Sequence, residues 1–235
     1  VFLTIISGTS VFYFNNKNIL PNLSDVFKEK KAPIVKPSEI AIALIPSNSE
    51  RKIIIPKEQS EILQIISKEI ADTSGKERIK NIYLSEITAI TVDGKTKEVE
   101  QASNIDILLS VWSHNMPDIL SRSLSDKFMV GIYSLVPGEN FPFLILTTNS
   151  YEQTFAGMFV WEKDLLTDFY NLFSIKAQSD QVQRFRDKEI SGMDTRILIG
   201  ADNKTKLIYS FINKSSLIIT ENESIFGEVL SRINR

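Results

Sequence analysis

The sequence predicts an α+β protein of repeated β-hairpin-then-helix units, with mainly antiparallel sheets and two subdomains. Three observations support this: short β-rich runs joined by turn residues, amphipathic segments that follow them, and a strand-to-helix junction that occurs twice. The predicted boundaries are the end of a membrane-spanning helix at 1–14, a stalk or linker at 15–38, and subdomains at 39–126 and 127–235.

Composition narrows the classes of function. The chain has 235 residues, of which 27 are basic and 29 acidic, and its net charge of −2 gives no field that would gather nucleic acid. The absence of cysteine excludes disulfides, thiolate nucleophiles and Cys-based metal sites. His114 is the only histidine, whereas most hydrolytic metal sites need at least two imidazoles. We therefore expect no metal, no cofactor and no nucleic-acid partner.

The opening run VFLTIISGTSVFYF is apolar, with only small hydroxyl and glycine interruptions. Fourteen residues are fewer than the roughly 20 that span a bilayer, but they suit the last turns of a membrane helix. A buried first helix or strand and a cut signal sequence are the alternatives. Residues 15–38 contain three prolines and no sustained period, so we expect a stalk there. Lysines in this stalk favour a cytoplasmic carboxyl-terminal side. The rule compares charges on both sides of a span, and only one side can be counted here, so the membrane orientation stays open.

The first subdomain is predicted from local patterns. EIAIALIP and RKIIIP, separated by SNSE, predict a β-hairpin, and residues 57–71 predict an amphipathic helix. Asp93-Gly94 predicts a two-residue hairpin turn, because both positions accept positive φ. Ser103 with Asp106 has the spacing of a helix start.

The second subdomain contains the repeated junction. LILTTN at 144–149 recurs as LIITEN at 217–222, and Ile-Tyr-Ser precedes both. Continuous aliphatic strands have to be covered on both faces, and Thr and Asn after them supply oxygens that can cap the next helix. The pattern predicts an internal repeat of 127–173 and 195–234, with convergence on good local chemistry as the alternative.

Glu162 is the candidate functional residue. On a helical wheel of residues 151–173 it lies inside a wide apolar stripe. The stripe consists of Tyr151, Phe155, Met158, Phe159, Leu165, Leu166, Phe169, Leu172 and Phe173. A carboxylate there must be paired, protonated or at a mouth of the core. One interpretation is a buried ion pair with Arg184, Arg186 or Arg196; the other is a general acid or an anchor for a ligand cation.

The run FAGMFVWEKDLLTDFYNLF, followed by DTRILIG, LIYSFIN and LIITENESIFGEVLSRI, carries a resemblance. It resembles uncharacterised bacterial proteins with one amino-terminal membrane span, which come mainly from small-genome candidate-phylum lineages. The resemblance covers residues 127–235, and its most specific parts are Phe-Ala-Gly-Met and Trp-Glu. It implies a single-pass envelope protein, and it implies no activity. We expect the globular part to be extracytoplasmic, with the membrane orientation left open.

These observations predict a non-enzymatic, membrane-anchored component of an envelope or cell-surface assembly. We expect its globular part to bind other envelope or surface proteins, including further copies of itself, through an exposed β-edge or an apolar patch. One alternative is a glycan-acting hydrolase that uses carboxylates alone, since two such residues leave no sequence motif. The other is a ligand-sensing domain.

Overall fold

The computed structural model describes residues 43–56, 59–72, 78–92, 94–173 and 184–233. The predicted membrane segment, 1–14, and the predicted stalk, 15–38, lie outside these ranges. Within them, none of the helices combines the length and the apolar character that crossing a bilayer requires.

The described residues contain nine strands and six helices. The strands are β1 (Ser49–Ile54), β2 (Arg78–Val92), β3 (Lys95–Ala102), β4 (Leu124–Val136), β5 (Glu139–Thr148), β6 (Phe185–Ile190), β7 (Met193–Ile199), β8 (Thr205–Asn213) and β9 (Ser216–Thr220). The helices are α1 (Gln59–Ala71), α2 (Ile105–Trp112), α3 (Asp118–Ser123), α4 (Tyr151–Asp168), α5 (Tyr170–Phe173) and α6 (Glu223–Ile233). The predicted α+β class is confirmed.

All nine strands form one mixed sheet with the order β1-β2-β4-β5-β9-β8-β7-β6, and β3 pairs with the second half of β2. Every pairing except β1–β2 is antiparallel. Because β2 pairs with β4, the sheet continues across the predicted boundary at residue 126. The predicted subdomains therefore share one sheet.

The predicted first hairpin, EIAIALIP with RKIIIP, is wrong. The described part of the first run, from Ala43 onward, forms no strand, and β1 pairs in parallel with β2. Parallel neighbours need a crossover rather than a tight turn, and α1 supplies it with Ile62 and Ile66 fully buried. The second predicted hairpin is confirmed: β2 and β3 are antiparallel, and Gly94 has a φ of +73°.

The sheet is covered on both faces. The core on one face includes residues of α1 to α5, and the core on the other includes residues of α6. In the central strand β5, Leu144 and Leu146 belong to the first core, whereas Phe143 and Ile145 belong to the second. The aliphatic strands at the repeated junction are thus buried on both sides, as the sequence predicts.

A hairpin-then-helix repeat is not confirmed, because α4 and α6 lie on opposite faces of the sheet. The two junctions also differ in their hydrogen bonds. Asn222 caps α6, since its Oδ1 accepts from the backbone N–H groups of Ser224 at 2.8 Å and Ile225 at 3.3 Å. Asn149 instead donates its Nδ2 to the carbonyl oxygen of Leu124 at 3.2 Å. The two junctions therefore have similar sequences, but their asparagine side chains make different hydrogen bonds.

The helix start at α2 also differs in one residue from the prediction. Asn104, not Ser103, is the N-cap, and its Oδ1 accepts from the backbone N–H of Ile107 at 3.3 Å. The side chain of Ser103 donates to the carbonyl oxygen of Asn104.

The buried face of α4 is rotated from the predicted stripe. It consists of Thr154, Gly157, Met158, Trp161, Leu165, Leu166 and Asp168. Helix α3 packs on this side, where a Cβ on Gly157 would lie 2.7 Å from the Cβ of Leu120. The hydroxyl oxygens of Thr154 and Ser123 are 2.7 Å apart and share a hydrogen bond. This rotation turns part of the predicted stripe toward solvent.

Candidate functional site

Glu162 pairs with Arg196, one of its three expected arginines. Glu162 lies on α4, and Arg196 lies on β7 in the sheet beneath it. The Nε and Nη2 of Arg196 donate to the two carboxylate oxygens of Glu162 at 2.7 and 2.8 Å. The two side chains are only 15% and 19% exposed, so this two-fold contact lies largely out of solvent.

Tyr209 on β8 is the third member of this network. Its hydroxyl donates to Oε1 of Glu162 at 2.7 Å. Burial, together with this hydrogen bond, raises the pKa of Tyr209 well above its usual range. The hydrogen bond to Glu162 raises the pKa of Arg196. Both carboxylate oxygens of Glu162 thus accept hydrogen bonds from its neighbours.

The guanidinium of Arg196 is nearly saturated. Besides Glu162, it donates to Oδ1 of Asp187 at 2.9 Å and to the carbonyl oxygen of Phe185 at 3.4 Å. It also lies 5.0 Å from the centre of the Phe159 ring. Four of its five N–H groups are used, so it holds α4 onto the sheet and has little capacity for another anion.

A groove of about 710 Å³ opens beside this network, between α4 and strands β6 to β8. We call it the α4 groove. It is lined by Tyr151, Phe155, Phe159, Asp187, Lys188, Glu189, Gly192, Met193, Asp194, Thr195, Arg196, Tyr209, Ser210 and Phe211. Its volume is in the range of sites that take a small molecule or several side chains of a larger partner.

One wall of the α4 groove is aromatic. Phe155 contacts the rings of Phe159 at 4.9 Å and Phe211 at 5.8 Å, and Tyr151 meets Phe211 edge-to-face at 5.0 Å, as measured between ring centres. Phe155 and Phe159 nevertheless remain 40% and 43% exposed. An exposed, mutually packed ring cluster on a regular helix is typical of a contact surface.

The floor of the groove is acidic. Glu189 on β6 and Asp194 on β7 are directly opposite each other in the antiparallel register, and both are exposed. Neither carboxylate has an ion-pair partner within the residues that the structure covers. Lys188 lines the same groove, but its ammonium donates to both carboxylate oxygens of Glu223, at 2.8 and 2.7 Å.

A buried acid that the sequence did not single out fixes the far end of α4. Oδ2 of Asp168 accepts from the indole Nε1 of Trp161 at 2.7 Å and from the backbone N–H of Asn115 at 3.1 Å. Its Oδ1 accepts from the Asn115 side chain at 2.8 Å. The only hint in the sequence is a tryptophan seven residues before an aspartate. These bonds tie the wall of the groove to the turn between α2 and α3.

The histidine of the chain does not belong to the groove. His114 is exposed in the turn between α2 and α3. Across the described ranges, no group of three or more His, Asp or Glu side chains has an arrangement that could hold a metal ion.

Comparison with known proteins found no matching family model, curated protein or solved structure.

Proposed function

We propose that this chain is a non-enzymatic, membrane-anchored component of a bacterial envelope or cell-surface assembly, and that it binds another protein through the α4 groove. The observation that carries the binding part is the aromatic wall, with Phe155 and Phe159 exposed on a helix. The membrane and envelope parts rest on the apolar first 14 residues and on the resemblance of residues 127–235.

The physical case for a protein partner rests on rigidity and apolar area. Asp168 and the pair of Glu162 with Arg196 hold α4 at two places, so the aromatic wall is fixed before a partner arrives. A preorganised surface loses little conformational entropy on binding, and aromatic side chains, including phenylalanine, are enriched at the core of protein interfaces.

The glycan-hydrolase alternative has one supporting observation, the carboxylates of Glu189 and Asp194 beside aromatic rings. A hydrolase of this kind needs two carboxyl groups on opposite sides of the scissile bond, one of them in surroundings that keep it protonated. Glu189 and Asp194 are exposed neighbours on adjacent strands, and Glu162 is fully engaged by Arg196 and Tyr209. The geometry therefore favours binding over hydrolysis.

A displayed library of random dodecapeptides tests the proposal, with the 235-residue chain immobilised in detergent. We expect selected peptides to bind the Phe155→Ser variant at least about ten-fold more weakly than the original chain, as for a hot-spot residue. Tyr170→Ser is the matched control, because Tyr170 is an exposed aromatic outside the groove lining. It should leave binding unchanged.

Two outcomes would overturn the proposal. One is a selection that enriches no peptide, and the other is enriched peptides that bind the Phe155→Ser variant as well as the original chain. Hydrolysis of soluble glycans by the chain, lost in Glu189→Gln, would favour the hydrolase instead.

A further inference from the structure

The basic side chains that line the α4 groove are paired, whereas two of its acidic side chains are not paired with any described residue. Both cations that line it are already engaged, Lys188 with Glu223 and Arg196 with Glu162 and Asp187. Within the described part of the chain, Glu189 and Asp194 have no such partner. A ligand that enters the groove therefore meets uncompensated negative charge and almost no free positive charge.

Glu189 and Asp194 occupy positions where their charges repel each other. Like charges directly opposite each other on antiparallel strands destabilise a sheet. Glu189 and Asp194 occupy such a pair, one step from the β6–β7 turn at Ser191 and Gly192. A cation placed between them would remove the repulsion and gain attraction from both.

The aromatic wall favours an apolar side chain beside that cation. The guanidinium of Arg196 already lies 5.0 Å from the centre of the Phe159 ring, so the wall is expected to contribute apolar contact more than a second cation–π contact. Phe155 and Phe159 also offer apolar area to a neighbouring side chain. The groove thus combines an apolar wall with an acidic floor whose two carboxylates form no ion pair with any described residue.

We infer that the occupant of the α4 groove is a segment of a partner protein that carries a lysine or arginine next to an apolar or aromatic side chain. The inference rests on the proposed function and specifies its partner. The cationic side chain lies over Glu189 and Asp194, and the apolar side chain packs on Phe155 and Phe159. Charge complementarity then selects basic segments and disfavours acidic ones, for which Arg196 has little remaining donor capacity.

Three synthetic peptides test this. They are fluorescein-labelled nonapeptides with the same alternating phenylalanine and leucine residues, and with lysine, glutamine or glutamate at the intervening positions. Fluorescence anisotropy measures their binding to the full chain. We expect the lysine peptide to bind at least about ten-fold more tightly than the glutamate peptide, and added salt to weaken the lysine peptide most.

Paired variants assign the charge effect to the groove. Glu189→Gln with Asp194→Asn should weaken the lysine peptide by about five-fold for each carboxylate removed, the upper range for exposed ion pairs, and leave the glutamine peptide unchanged. The control is Glu50→Gln with Glu98→Gln, which removes the same charge from exposed positions on β1 and β3. It should change neither peptide.

The outcomes separate this inference from the proposed function. If the lysine and glutamine peptides bind equally and both depend on Phe155, the groove binds proteins but the basic partner is wrong. If both double variants weaken the lysine peptide equally, the preference comes from overall charge and the inference is also wrong. If neither these peptides nor the displayed library yields binding that depends on Phe155, the inference and the proposed function both fall.

Discussion

Replacing Glu162 with glutamine removes one charge from the network that holds α4 onto the sheet. The variant keeps the shape of the side chain, but its amide group points N–H donors at the guanidinium of Arg196. Breaking a buried ion pair costs about 3–5 kcal/mol, and hydrogen bonds to charged groups contribute about 1.5–3 kcal/mol. Residual exposure of 15% and 19%, and the second carboxylate at Asp187, reduce that cost. We expect Glu162→Gln to lower the free energy of unfolding by about 2–3 kcal/mol.

Asp187→Asn provides a matched comparison, because Asp187 contacts the same guanidinium but its side chain is 88% exposed. Surface ion pairs contribute little, so this variant should lose less than about 1 kcal/mol. Equilibrium urea denaturation of the full chain, followed by tryptophan fluorescence, measures the free energy of unfolding of both variants. The two values can be compared if this free energy falls with urea concentration at the same slope in each variant.

Equal losses in the two variants, or a loss below about 1 kcal/mol for Glu162→Gln, would refute the reasoning from burial. If Glu162 anchors a ligand cation instead, the variant keeps its stability and loses binding of the lysine peptide.

Three further predictions concern stability. Gly157→Ala should lower the free energy of unfolding by about 1–3 kcal/mol, because the new methyl group meets Leu120 at 2.7 Å; an unchanged or higher melting temperature would contradict this. Burial raises the pKa of Glu221 to about 7 from its usual 4.5. Between these two pH values the folded chain keeps a proton on Glu221 that the unfolded chain has released. Stability should therefore rise as the pH falls from about 8 to about 5, by at most about 3 kcal/mol, and a slope that persists unchanged in Glu221→Gln would rule out this residue as its source. Glu189→Gln should raise the free energy of unfolding by about 0.2–1 kcal/mol at low salt, since it removes the repulsion from Asp194, and a measured loss would show that no repulsion exists there.

Local patterns predicted most elements of the fold. The Asp93-Gly94 turn, the helix over residues 57–71 and the covered aliphatic strands depend on contacts close in sequence or on simple burial. The parallel pairing of β1 with β2 was not predicted. The direction of a strand depends on where the crossover helix packs, and the residues next to the strand in sequence do not determine that position.

The candidate site was predicted in part. A glutamate within an apolar stripe correctly indicated an arginine partner, and Arg196 was among the three named. The aromatic wall was missed because a helical wheel assumes that the most apolar side is buried. In α4 the buried side includes Gly157 and Thr154, which are not strongly apolar but let α3 approach closely. The buried side of α4 is thus determined by the small size of its residues, which a hydrophobicity pattern does not show.

The position of β9 has a consequence for how the chain folds. Among the described strands β9 comes last along the sequence, yet it lies in the middle of the sheet, where it pairs with β5 on one side and β8 on the other. Contacts between residues as distant as Phe143 and Thr220 form slowly, because a long loop has to close first. During synthesis the sheet cannot be completed until residues 216–220 leave the ribosome, and until then β5 and β8 present unpaired edges that can join other chains. A chain truncated before β9 should therefore aggregate rather than fold into a smaller version of the sheet.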